Sequence, residues 1–259
     1  MFDYHLHSNV SFDSKSTAAD MVAAAERAGL KEICFTDHMP ISVSNAHDRI
    51  PRGKVREYCE RVRETAKRYE GIISLKCGIE IDYHPSVKDE IDRVLTEGDF
   101  DYVLGSSHLH AFIKNFQNYT FNDFASMSIE NSTLAAESGL FNTVSHLDMY
   151  KFVFINPKRF PLKDDGYDVM RHEAEIKALL DVIAKENVRL EINPHLAEGR
   201  PDLSLMYPEE TIVKWALDKG CLFAYGSDAH SPSSVGACIS ELTENETFSR
   251  ALKTWEDTE

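Results

Sequence analysis

The chain has 259 residues, of which 42% are hydrophobic and 27% charged, and its formal net charge is −15. This is the composition of a soluble globular protein with ample core material. The acidic excess excludes a broad nucleic-acid face, which needs clustered Lys and Arg, but not an anionic small substrate, because bound cations reverse the local field of a site.

Short apolar runs rich in β-branched residues alternate with helical patterns. The first run is "FDYHLH" (2–7). Residues i and i+2 of a strand share a face, so His5 and His7 can converge on one point; two solvated histidines on an exposed strand are the alternative. "TAADMVAAAERAG" (17–29) reads as a helix with Thr17 as N-cap and Gly29 as stop. "EICFTDH" (32–38) is the second run, with His38 a candidate ligand and Asp37 a cap. "VREYCERVRETAKRYEG" (55–71) is a second helix ending on glycine. "ISLKCGIEIDY" (73–83) puts Glu80 and Asp82 on one face, Glu80 as a bridging carboxylate and Asp82 as either a ligand or a supporting acceptor.

"YVLGSSHLH" (102–110) repeats the HxH spacing at His108 and His110, of which one need bind. "NTVSHLD" (142–148) follows. A helix over "DVMRHEAEIKALLDVIAKEN" (168–187) sets Ile176, Leu179, Leu180 and Ile183 on one face. Next come the strand "VRLEINPH" (188–195) and the helix "PEETIVKWALDKG" (208–220), whose proline suits a first helical turn. "LFAYGSDAH" (222–230) gives Asp228 and His230 the i, i+2 geometry of the opening pair. Gly105 and Gly226 either allow close backbone approach beside "SSH" and "SDAH" or mark simple strand irregularity. The tail "TENETFSRALKTWEDTE" (243–259) reads as a last helix packed on the body.

Strand–helix alternation implies parallel strands with crossover helices. Seven runs without linker, repeat or low-complexity tract predict one domain over residues 1–259, either a barrel or an open doubly wound sheet. No GxGxxG or GxxxxGK[ST] follows a run, which removes support for the nucleotide-binding open sheets. Of eleven histidines, His5, His7, His38, His108, His110, His146, His195 and His230 sit at the C-terminal end of a run. That is where parallel α/β barrels gather their active-site groups. Asp13, Asp37, Glu80, Asp82, Asp148 and Asp228 join them. Imidazole with carboxylate suits Zn²⁺, Mn²⁺ and Fe²⁺, and a set this large exceeds the four ligands of one zinc, so two or three ions are expected.

The five cysteines (Cys34, Cys59, Cys77, Cys221, Cys238) show no CxxC and read as buried thiols of a reducing compartment. No charged-then-apolar leader opens the chain, and no apolar run approaches the ~20 residues of a membrane span. A cytoplasmic location without membrane contact is expected.

The ordered set "HLH", "TDH", "GIEID", "GSSH", "SHLD" and "GSDAH" resembles the PHP family, named for polymerase and histidinol phosphatase, over residues 5–230. The resemblance implies a distorted, TIM-like (β/α)₇ barrel with two or three catalytic metals. It assigns the first metal to His5, His7, Glu80 and Asp228, the second to Glu80, His108 and His146, and the third to Asp13, His38 and His230. Many relatives have His at the position of Asp13, and carboxylate serves the same metals. "HSNVSFDS", "EICFTDH", "GIEIDY" and "SHLDMYKF" are similar to the histidinol phosphatase branch, which hydrolyses L-histidinol phosphate. "LHAFIKNFQNYTFNDF" departs from that branch.

On this reading, water acidified between the metals of Glu80 attacks phosphorus, with Lys151, His195 and Arg200 as candidate phosphate contacts. Asp228, His230 or His195 protonates the leaving group. The loop residues Phe116, Tyr119, Phe121 and Asp123 either receive a cationic leaving group or pack. The alternatives are another phosphomonoester or phosphodiester such as a nucleotide or sugar phosphate, a hydrolase of the amidohydrolase type, and a non-catalytic PHP module. Every matched ligand position is filled, which disfavours the module. Oligomeric state is unreadable; Trp215 and Trp255 are interface or core.

Overall fold

The computed structural model describes residues 1–39, 53–197 and 202–256. Seven strands run in chain order: β1 (Phe2–Leu6), β2 (Glu32–Phe35), β3 (Ser74–Asp82), β4 (Tyr102–Ser106), β5 (Thr143–Val144), β6 (Arg189–Ile192) and β7 (Phe223–Tyr225). Every neighbouring pair is parallel, in the order β1 to β7. Just past β7, Ala229 bridges back to Leu6: His7 N–H donates to Ala229 O at 3.0 Å, and Ala229 N–H to His5 O at 3.3 Å. Buried Asp3 reinforces the seam by accepting from Ser227 N at 2.9 Å and Gly236 N at 3.1 Å. The expected distorted (β/α)₇ barrel is therefore the observed fold.

The helices are α1 (Ala18–Arg27), α2 (Val55–Arg68), α3 (Lys88–Glu97), α4 (Phe121–Glu137), α5 (Tyr150–Phe154), α6 (Glu173–Glu186), α7 (Glu210–Asp218), α8 (Ile239–Glu244) and α9 (Glu246–Glu256). Thr17 caps α1 through a reciprocal capping box with Asp20. In α6, Ile176, Leu179, Leu180 and Ile183 are all fully buried, as their spacing predicts. Four helices, α3, α4 and the short α5 and α8, fall where no helix was expected. Thr120 and Asp123 form a capping box at the start of α4, so Phe121 and Asp123 belong to its first turn and not to a loop. Phe121 stacks on Phe154 at 4.5 Å, and Phe116 packs against Phe124 and Phe160. These aromatics are packing residues.

Strands are shorter than the apolar runs, because the backbone turns out of the ladder to aim side chains. β2 stops at Phe35, β4 at Ser106 and β7 at Tyr225, so most of the chemistry-bearing residues stand on the loops beyond. The N-terminal ends of the strands form the opposite pole. There Trp255 of α9 packs edge-on against Tyr4 at 4.7 Å, Tyr4 against Tyr102 at 4.8 Å, and the Arg189 guanidinium lies 4.5 Å from the Trp255 ring. The Tyr4 and Tyr102 hydroxyls are bonded to Glu32 and Thr143. Trp255 is thus a core residue, whereas the half-buried Trp215 lies under the Lys177 ammonium. All five cysteines are free thiols, and four are buried. Among the described residues no helix is long and apolar enough to cross a membrane.

Trp255→Ala would open a cavity against two tyrosines and an arginine. It is expected to lower the free energy of unfolding by about 3–5 kcal/mol. Urea unfolding checks this against Ile72→Ala, at a side chain 60% exposed, for which little change is expected.

Candidate metal centre

His5 and His7 leave β1 side by side, fully buried, with ring centroids 5.0 Å apart. Their Nε2 atoms converge on one oxygen of Glu80, Oε2, at 3.3 and 3.5 Å, and on Asp228 Oδ1 at 3.5 and 3.1 Å. His5 Nε2, His7 Nε2 and Glu80 Oε2 are sealed from solvent and make no hydrogen bond. Buried polar atoms are almost always paired, so three such atoms aimed at one point fit a cation that all of them would hold. Neutral imidazole and carboxylate are the right donors for a borderline divalent ion.

The other oxygen of Glu80 faces a second group. Oε1 lies 3.0 Å from His146 Nε2 and 3.9 Å from His108 Nε2, and accepts from Ser106 Oγ. A third group forms around Asp13, whose Oδ2 stands 3.4 Å from His38 Nε2 and 3.2 Å from His230 Nε2. His38 spans two of these groups, since its Nδ1 is 2.9 Å from Glu80 Oε2. Within each of several sets, including His5–His7–Glu80, His38–Glu80–His108 and His7–Asp13–His38–His230, the ligand atoms lie within 4.8 Å of one another.

A supporting layer holds the free ring nitrogens. Glu191, 1% exposed, takes His5 Nδ1 at 2.6 Å, while its second oxygen accepts from His146 N at 2.7 Å and Asn193 Nδ2 at 3.0 Å. Asp82 takes His108 Nδ1 at 2.5 Å, so its role is that of supporting acceptor. Asp37 anchors the loop after β1 by accepting from Ser8 N, Ser8 Oγ and Ser11 Oγ, and Ser11 Oγ lies 3.1 Å from His7 Nδ1. Such partners fix ring orientation and tautomer in metal sites. Gly226 makes room for this layer: a Cβ there would meet the Glu191 carboxylate and come within 2.5 Å of His5 Cβ.

Two expected geometries are replaced. His108 immediately precedes, and His110 lies in, a 3₁₀ turn spanning Leu109–Ala111, so strand alternation does not relate them. His110 joins none of the metal-capable groups found among the described residues. Asp228 has φ +55° and His146 φ +23°, so both reach the centre from strained backbone, a condition that concentrates at functional sites. Asp228 and His230 therefore meet through a turn, with His230 Nδ1 2.8 Å from Asp228 O.

Asp13, His38, Glu80, His108, His146, Asp228 and His230 line a cleft of about 350 Å³ that also includes His110, Arg159, His195 and Tyr207, with His5 and His7 behind its wall. His195 sets Nδ1 3.2 Å from Asp228 O. Lys151 is not brought to the cleft wall: its ammonium bonds Asp148 Oδ2 at 2.7 Å and Met206 O at 2.8 Å. Arg200 lies outside the described residues. The residues that sequence reading missed are Glu191, Arg159 and Tyr207. Glu191 was legible as the one acidic residue in "VRLEINPH", whereas nothing local marks the other two.

Burial opposes charge on His5, but Glu191, Asp228 and Glu80 outweigh it and raise its pKa well above the usual value. Burial likewise opposes charge on His38 and His230; Glu80 and Asp13 raise the first to about 10, and Asp13 and Asp228 raise the second to about 9. His7 is pushed down to about 3 by burial and by the charges of His230 and His38. Burial favours the neutral form of Glu80, yet the His38 and His5 charges hold its pKa well below the ordinary range. The three carboxylates are thus balanced by imidazolium protons that a divalent ion would replace.

A model of the PHP domain matches residues 3–195. A protein of Deinococcus radiodurans named "probable histidinol-phosphatase" is 32% identical over 245 residues, spanning 90% of this chain and 88% of the relative. The histidinol-phosphatase of Bacillus subtilis is 25% identical over 264 residues, spanning 90% and 95%. The crystal structure of histidinol phosphate phosphatase from Lactococcus lactis, complexed with zinc, L-histidinol and phosphate, superposes with a TM-score of 0.76 at 22% identity, covering 96% of this chain and 93% of that one.

Two outcomes follow from the geometry. Because His38 and His230 hold their protons up to about pH 10 and 9, Zn²⁺ binding at pH 7 should release protons, and apparent affinity should rise with pH; calorimetry in buffers of different ionisation enthalpy measures both. Glu191→Gln removes the charge behind His5 and, with its oxygen kept on the two N–H donors, turns an NH2 toward His5 Nδ1, which favours the tautomer with a proton on Nε2. It should weaken metal affinity about 10- to 100-fold in a chelator competition.

Proposed function

The chain belongs to the PHP domain family, and from that premise we propose that it is a single-domain, divalent-metal-dependent phosphatase that hydrolyses L-histidinol phosphate to L-histidinol and phosphate. The observation that carries the reading is Glu80, a buried carboxylate with one oxygen toward His5 and His7 and the other toward His146 and His108. That is the arrangement of a carboxylate bridging two ions. The third group, Asp13, His38 and His230, would hold another, and Zn²⁺, Mn²⁺ and Fe²⁺ all suit these donors. When bound, the ions supply positive charge opposite the phosphoryl oxygens and make water acidic enough to attack phosphorus.

The protein's own groups complete the task. Arg159 lines the cleft and makes no ion pair among the described residues; its guanidinium rests 5.1 Å from the Phe160 ring. A planar fork of this kind fits two phosphoryl oxygens, and it takes the role expected of Lys151. His195 is the proton donor for the leaving alkoxide. Its Nδ1 is turned to Asp228, and its Nε2 has no partner among the described residues, whereas Asp228 and His230 face the metal positions. Ala111, Met149, Phe152 and His110 form the remaining wall. Burial and the His108 charge push His110 down to about 3, so this wall is uncharged and suits the flat imidazole of the leaving group.

Phosphate release from L-histidinol phosphate and a panel of nucleotide and sugar phosphates, with Zn²⁺ or Mn²⁺ added, tests the reading. The highest kcat/KM is expected on L-histidinol phosphate, and a better nucleotide or sugar substrate would replace the assignment. Glu80→Gln should abolish metal uptake and turnover together. His195→Gln should cost about 10²- to 10⁴-fold in kcat on L-histidinol phosphate, as expected for general-acid catalysis. It should cost far less on p-nitrophenyl phosphate, whose leaving group needs no proton; an equal loss on both would remove His195 from that role.

A further inference from the structure

Tyr207 forms part of the cleft wall and is only 2% exposed. Of the other buried tyrosines, Tyr4, Tyr58, Tyr102, Tyr150 and Tyr225 have hydroxyls bonded within the protein; Tyr83 has no such bond among the described residues, but it lies against Phe141 and is not part of the cleft wall. The Tyr207 hydroxyl is bonded to none of the described residues, and it is not among the atoms sealed from solvent. Nearly all hydroxyls of buried residues find a partner. The cleft that Tyr207 lines offers it one.

The surrounding contacts hold this hydroxyl in place. Tyr207 exchanges two backbone bonds with Asn193, at 2.7 and 2.9 Å. Lys151 donates to Met206 O at 2.8 Å and stands 5.2 Å from the Tyr207 ring centroid. Asp148 joins the two sides by accepting from Lys151 Nζ at 2.7 Å and from Glu209 N at 3.0 Å. The "SHLDMYK" motif therefore grips the segment carrying Tyr207 from both ends. The ring lies 6.5 Å from that of His146, on the metal side of the cleft, where a phosphoryl group would sit. Burial and the charges of Asp148 and Asp228 raise the phenol further above neutrality, so it keeps its proton.

We propose that the Tyr207 hydroxyl donates a hydrogen bond to a phosphoryl oxygen of the substrate, with Lys151 and Asp148 as positioning residues for it. The proposal rests on the phosphatase reading. A neutral, preorganised donor strengthens its bond as charge builds on that oxygen in the transition state.

The test compares Tyr207→Phe with the wild type, both loaded with Zn²⁺ and matched for metal content. Binding of inorganic phosphate, measured by calorimetry, should weaken about 5- to 10-fold, the worth of one hydrogen bond. The kcat/KM on L-histidinol phosphate should fall about 10- to 100-fold, mainly in kcat. The thermal midpoint without ligand should stay the same or rise, because no protein hydrogen bond is lost. Lys151→Met should weaken phosphate binding in the same direction, and the double variant no further than the weaker single one. Unchanged phosphate binding in Tyr207→Phe would overturn the proposal alone, as would a lowered midpoint showing that the hydroxyl is structural. A wild type that binds phosphate yet turns over no L-histidinol phosphate would fail the substrate assignment and leave the Tyr207 result standing.

Discussion

A carboxylate 1% exposed, Glu80, sits where the strands of the barrel end. Withdrawing such a charge from water costs several kcal/mol unless positive charge lies beside it, and here five imidazoles ring it, His5, His7 and His38 toward one oxygen and His146 and His108 toward the other, with the charges of His38 and His5 holding it ionised. The fold has to deliver these groups from four separate chain segments to within ion-pair distance of a single side chain. Parallel strands can do this because they all point their C-terminal ends at the same rim. β3 is the longest strand and carries Glu80 deepest into the mouth, paired with Leu104 of β4.

Converging imidazoles would repel one another if left free to rotate, so each needs a reason to keep its pose. Glu191 behind His5, Asp82 behind His108 and the Asp37–Ser11 relay behind His7 supply it. The same acceptors tie backbone to site: Glu191 also receives the His146 N–H, and Asp37 the Ser8 N–H. Ring orientation and loop conformation are thereby one problem with one solution. The left-handed backbone at His146 and Asp228 is tolerable in that setting, since the partners on every side over-determine it.

Much of this was legible in the residues. Apolar runs ending in His or Asp marked both the barrel and its mouth, and the HxH at His5 and His7 carried the correct geometry because β1 reaches Leu6 and His7 stays bonded to Ala229 just past it. Where strands end early the rule of alternation lost its grip. His108 and His110 part company on a 3₁₀ turn, and Asp228 meets His230 through a positive φ. The helix α4 was missed because its serines, asparagines and small residues give a weak apolar stripe; its capping box at Thr120 and Asp123 was the available signal. Lys151 looked like a phosphate contact because a lysine after a catalytic strand suggests one. Its partners, Asp148 and Met206, come from turns that only folding brings together. Arg159 and Tyr207 were hidden for the same reason: they stand on connecting segments outside the motifs, and only folding turns them to the cleft.

The two poles of the barrel divide the work. At the N-terminal pole, Trp255, Tyr4 and Tyr102 pack ring against ring with hydroxyls bonded and Arg189 laid over the indole, a packing that requires no bound ion. At the mouth, charge is concentrated in a dry place and its balance depends on protons or ions. A divalent ion that binds only the folded mouth adds RT ln(1 + [ion]/Kd) to stability, so ion binding and folding draw on the same contacts. The chain's net charge of −15 works in the same direction, since an acidic protein attracts cations toward that mouth. The sealed, unpaired nitrogens of His5 and His7 are then the point at which fold and chemistry meet: unpaired they are costly to the protein, and an ion between them would remove that cost.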